Sequence, residues 1–113
     1  MQPVSLTDLS EEQLTAAKDA GSGRTVATVH GGRDHTLKQV VLTLAAGHEL
    51  SDHENPGEAT LLVLRGHVRL GTAGGSVEVA EGEYLVIPPE RHHLVAVEDS
   101  TVLLSVVPRN RAG

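Results

Sequence analysis

An antiparallel all-β barrel or sandwich, preceded by one short helix, is the fold class this sequence predicts, and three observations predict it. β-Branched and aliphatic residues gather in short runs along most of the chain, Gly, Pro, Asn and Asp stand between the runs, and a helical pattern occurs only near the start. Short strands at regular spacing, each closed by a turn signal, pair most simply with their neighbours in antiparallel sheets.

The helix comes first. Ser10 and Gln13 have the spacing of a capping box, Leu14, Ala16 and Ala17 supply an apolar side, and Gly21 offers a stop, which predicts a helix over residues 10–20. Beyond Gly21-Ser22-Gly23, strands are expected at 25–30, 36–46, 48–53, 58–65, 67–72, 76–80, 83–87, 92–98 and 101–107. The separating turns are Gly31-Gly32, Gly47, Asn55-Pro56-Gly57, Gly66, Ala73-Gly74-Gly75, Gly82, Pro88-Pro89 and Asp99-Ser100. The chain therefore divides into a helical segment at 1–24, a barrel at 25–108 and a loose tail at 109–113, with no internal repeat or linker to suggest a second domain.

Composition narrows the function. A chain of 113 residues can remove roughly 65% of its unfolded surface from water, enough for one core without covalent staples. Cysteine is absent, which excludes disulfides, thiolate zinc sites, iron–sulfur clusters and cysteine nucleophiles. The net charge is -6 and the Lys and Arg residues are scattered, so no basic stripe can neutralise a phosphate backbone and nucleic acid is not an expected partner. No run approaches the roughly 20 apolar residues of a membrane span. The start, MQPVSLTDLSEE, lacks the blocks of a secretion signal, so a cytoplasmic location with no membrane partner is expected. Tyr84 is alone among Phe, Tyr and Trp, which leaves an aliphatic core and no means of building a stacking platform or aromatic cage. The seven histidines are the excess that bears chemistry, since imidazole is the commonest metal ligand and an acid–base group near neutrality.

Two stretches carry a recognisable pattern. One runs from Gly47 to Gly66 as GHELSDHENPGEATLLVLRG, the other from Gly82 to Val97 as GEYLVIPPERHHLVAV. They resemble the two sequence motifs of the cupin superfamily, the first through Gly47, His53 and Gly66 and the second through Gly82, Pro88 and His93. The resemblance covers about residues 25–107 and implies a small jelly-roll barrel. It also implies a site where a His-x-His pair, a carboxylate or amide and a later histidine hold one divalent metal such as zinc, nickel, manganese or iron. Carried over position by position, it assigns metal-ligand roles to His53 and His93, puts Asn55 where the second histidine stands, and puts Ala59 where the carboxylate stands. Glu90 and Val97 replace the second motif's glycine and asparagine. A donor set reduced in this way implies a degenerate metal site.

Alternate residues of a strand share a face, which orients the remaining side chains. Leu37, Gln39, Val41, Thr43 and Ala45 form a mixed face suited to a cavity, while Thr36, Lys38, Val40, Leu42, Leu44 and Ala46 suit packing outward. Ala59, Leu61, Val63, Val95 and Val97 are expected to point inward with His53 and His93. Counting from Pro88 favours His93 over its neighbour His92, an order that a local bulge would exchange. His48 and His35 are expected at the rim or surface, and His30 and His67 in the open. Glu54, Glu90 and Arg91 read as surface charges, and Glu58 is the candidate acid or base.

The expected function is binding of a small-molecule ligand in an aliphatic barrel whose metal site is degenerate and whose histidines are neutral, hydrogen-bonded wall residues. A homodimer is expected because both faces of the long central strands are apolar enough to need covering. The alternative is a metal-dependent enzyme of dioxygenase or isomerase type, in which His53, His93 and one of Asn55, Glu58, His48 or His92 hold the cation.

Overall fold

A computed structural model describes residues 1–54 and 57–108, the side chain of Asp52 excepted. Its helix, α1 (Leu6–Asp19), begins about one turn earlier than the capping-box spacing predicts. Ser5 is the cap: its Oγ accepts the backbone N–H of Asp8 at 3.2 Å. The Asp8 carboxylate then sits in the first turn, where the helix dipole favours it. Ser10 instead lies buried within the helix, its hydroxyl turned back to the Leu6 carbonyl at 2.6 Å.

Among the described residues nine strands follow: β1 (Arg24–His30), β2 (Lys38–Leu44), β3 (Glu49–His53), β4 (Gly57–Arg65), β5 (His67–Thr72), β6 (Gly75–Ala80), β7 (Tyr84–Val86), β8 (His92–Ala96) and β9 (Ser100–Pro108). Every expected strand is present. They form a five-stranded sheet in the order β1-β2-β9-β4-β7 and a four-stranded sheet in the order β3-β8-β5-β6, paired antiparallel throughout. The motif glycines Gly47, Gly66 and Gly82 turn the chain with φ of 84°, 89° and 82°. Among the described residues no helix is long and apolar enough to cross a membrane.

The core lies between the sheets, with Leu42, Leu44, Leu61, Val63 and Val102 facing Val68, Leu70, Val79, Leu94 and Ala96. Outside the five-stranded sheet, α1 packs on β1 and β2, with Ala17 fully buried and Thr25 Oγ1 donating to the Gln13 carbonyl at 3.1 Å.

The two faces of β2 are the reverse of the expectation. Leu42 and Leu44 point into the core, while Val41 and Thr43, both fully buried, lie on the face beneath α1. The polar groups explain the exchange, because each finds its partner on β9 rather than in a cavity. Gln39 Nε2 donates to Ser105 Oγ at 3.0 Å, and the Thr43 and Thr101 hydroxyls stand 3.3 Å apart.

One carboxylate ties the helix to the barrel. Asp99 accepts the Ala46 N–H at 2.8 Å and pairs with Lys18 Nζ at 3.0 Å. The Ala46 hydrogen bond first, and Lys18 second, hold this carboxyl below its ordinary value of 3.8. A group with a depressed folded-state pKa stabilises the fold above its unfolded value, and that contribution disappears as pH falls through the folded value. Both side chains stand partly in water, so the pair contributes less than about 1 kcal/mol. Urea melts of Asp99→Asn are expected to show that deficit near neutral pH and none at about pH 2. A deficit of constant size down to that acidity would show that the charge is not its source.

Candidate functional site

A cavity of about 150 Å³ lies between the sheets beside the end of β3. Leu50, Ala59, Leu61, Leu70, Ile87, Leu94, Leu104 and Val106 make its walls, and His53, Glu54 and His92 are the polar side chains lining it. The walls follow from strand alternation: Ala59 and Leu61 face inward on β4 beside Val106 and Leu104 of β9. Ala59, at the position where the motif resemblance implies a carboxylate, contributes only a methyl group.

His53 reaches the cavity through an irregularity. β3 pairs with β8 as Leu50↔Leu94 and next as His53↔His92, three residues along one strand against two along the other. This bulge turns His53 to the face that Leu50 occupies and sets it beside His92. His92 Nδ1 lies 3.0 Å from the Glu90 carbonyl oxygen. A carbonyl only accepts, so Nδ1 carries the proton, and the neutral ring keeps its lone pair at Nε2.

His93 does not share the cavity. It pairs with Gly71 of β5, and its ring lies over that glycine: a Cβ there would stand 2.5 Å from His93 Cε1. With Arg91 and Thr72 it borders a separate hollow. The count from Pro88 fails because residues 88–91 are not strand, and a period of two does not run through such a segment. The same displacement turns Leu94 and Ala96 inward and leaves Val97 47% exposed, whereas Ala59, Leu61 and Val63 point inward as expected. One signal for the true order was present in the sequence. A glycine inside a strand marks close approach by a neighbour, and Gly71 is where the His93 ring needs room.

The other candidates scatter. Glu58 is exposed and does not line the cavity, whereas Glu54, read from the sequence as a surface charge, does. The His48 ring lies against the Gly23 backbone, and His67 Nε2 meets Glu78 Oε1 at 2.5 Å on the outside of the barrel. Asn55 and Pro56 of the expected turn, and the tail at 109–113, lie outside the described residues. Among the described residues, no three His, Asp or Glu side chains come together in a group that could hold a metal ion. Among the described residues, two imidazoles and the Glu54 carboxylate line the cavity and do not gather into the four-donor shell that the resemblance implies.

Comparisons with known proteins agree with this architecture. The cupin domain family model matches residues 40–107. No curated protein matches the chain. Among solved structures, SPY1581, a conserved protein of unknown function from Streptococcus pyogenes, is similar at 28% identity and a TM-score of 0.77, over 97% of this chain and 92% of that one. An RmlC-like cupin from Desulfovibrio desulfuricans is 30% identical, with a TM-score of 0.66 over 75% of this chain and 82% of that one. A protein of unknown function from Rhizobium leguminosarum shares the fold at 16% identity, with a TM-score of 0.69 over 96% and 98% of the two chains.

Proposed function

Because the chain belongs to the cupin domain family, we propose that its barrel is a receptor for one small, uncharged, mainly apolar molecule that carries a hydroxyl group. The observation behind this reading is the aliphatic cavity of about 150 Å³ with His53, Glu54 and His92 as its polar lining. An apolar cavity of about that volume takes up benzene, so the ligand has on the order of six to nine non-hydrogen atoms. His92 Nε2 and the Glu54 carboxylate both accept hydrogen bonds, which suits a donor hydroxyl. An anionic head group would meet the charge of Glu54 instead. For so few atoms the dissociation constant falls on the order of micromolar to millimolar.

Titration with phenol, 1-hexanol and benzoate, followed through the methyl resonances of Leu61, Ile87, Leu94 and Leu104, tests the proposal. Phenol and hexanol are expected to shift these signals saturably, and benzoate to do so more weakly. The reading is lost if the methyls do not respond up to the solubility limit, or if benzoate binds most tightly. Zinc or nickel added alone is expected to leave these methyls in place. A gain in phenol affinity that depends on the metal would favour the metal-assisted alternative.

A further inference from the structure

The hairpin between β1 and β2 holds a second pair of histidines, both exposed and neither of them lining the cavity. His30 is the last residue of β1 and pairs with Gln39 across a register shift. His35 follows a tight turn in which its N–H donates to the Gly32 carbonyl at 3.3 Å. Lys38 Nζ then donates to the Gly32 and His35 carbonyls at 2.8 and 2.9 Å, closing the loop from within. The result is two imidazoles with ring centres 4.7 Å apart and planes 38° from parallel.

We propose that His30 and His35 together bind one late first-row divalent ion, Cu²⁺ or Ni²⁺ in preference to zinc, independently of the cavity. Two imidazoles bound side by side on one ion at about 2.0–2.1 Å place their ring centres about 4.5–5.2 Å apart. The observed separation lies in that range, and both rings stand on a loop that Lys38 closes. Among the described residues no hydrogen bond engages either ring, which leaves their lone pairs for a metal. Imidazole donors favour copper and nickel over the earlier divalent ions, and water completes the shell. Asp34 adds a negative charge beside His35, while Arg33 and Lys38 oppose it, so micromolar rather than nanomolar affinity is expected.

Calorimetric titration of the untagged protein with Cu²⁺ tests this. One ion per chain is expected. Either His30→Ala or His35→Ala should weaken binding at least tenfold, and a variant combining His53→Ala with His92→Ala should bind as the wild type does. The paramagnetic ion should broaden the amide signals of Gly31 and Gly32 before those of Leu61 and Leu94. The proposal is overturned if no stoichiometric binding occurs, if neither hairpin variant weakens it, or if the loss follows His53 and His92 instead.

Discussion

Replacing Gly66 with alanine is expected to lower the unfolding free energy by about 3–5 kcal/mol. Two costs combine. Gly66 has a φ of 89°, in the left-handed region that costs an ordinary L-residue about 1–2 kcal/mol. A Cβ there would also overlap the Asp99 carbonyl oxygen and the Ser100 hydroxyl. That hydroxyl is 2.9 Å from the His67 N–H, 3.0 Å from the His67 carbonyl and 2.7 Å from the Glu98 carbonyl. Ser100 is only 2% exposed, so displacing it strands buried polar groups as well as straining the turn. Gly74 supplies the contrast, since a Cβ there would meet nothing closer than Thr72 Oγ1 at 3.8 Å. Gly74→Ala should change stability by no more than about 0.5 kcal/mol. Urea midpoints that coincide for the two variants would show that the β4–β5 turn tolerates a side chain and that this account of Gly66 is mistaken.

The same turn shows why the fold was legible in the sequence and the site much less so. Strand positions depend on local signals: β-branched runs, and punctuation by residues such as Gly66 and Gly82 that can take positive φ. Facing depends on what happens between strands. The bulge that carries His53 inward inserts one residue into β3, and the irregular segment at 88–91 changes the parity of β8, so that His92 rather than His93 lines the cavity. Pro88-Pro89 marks the second interruption without fixing its parity, the first has no local signature, and each reverses every side chain after it. The faces of β2 depart from the expectation for a different reason. A polar residue inside a strand suggests a cavity group, but Gln39 and Thr43 are satisfied by Ser105 and Thr101 on a strand more than fifty positions away. Partners at that separation are set by topology, which alternation within one segment does not encode.

The start of α1 differs from the expectation for a third reason. Acidic residues follow both serines, Asp8 after Ser5 and Glu11 and Glu12 after Ser10, so the helix dipole does not choose between the two caps. Ser10 at the expected start would have been half out of the helix, yet it is 4% exposed and packed. Tertiary burial therefore overrode an otherwise adequate capping pattern.

Ala59 and Leu61, neighbours on one face of β4, allow the cavity to be changed in opposite directions by single substitutions. Leu61 is fully buried, and Leu61→Ala should cost about 2–5 kcal/mol while enlarging the cavity. A ligand at a hundred times its dissociation constant should restore about 2.7 kcal/mol, since it binds the folded state alone. Ala59→Leu works the other way. Its three added carbons bring about 0.8 kcal/mol each when buried, offset by about 1–3 kcal/mol of packing strain, so stability should stay within about 1.5 kcal/mol of the wild type. The space for the ligand is nevertheless filled, and the phenol-induced methyl shifts should vanish. Stability and binding thus separate: the first variant is unstable and rescued by ligand, the second stable and blind to it. If Ala59→Leu folds normally and still binds phenol with wild-type affinity, the ligand lies elsewhere, and the hollow beside Arg91 and His93 becomes the place to look.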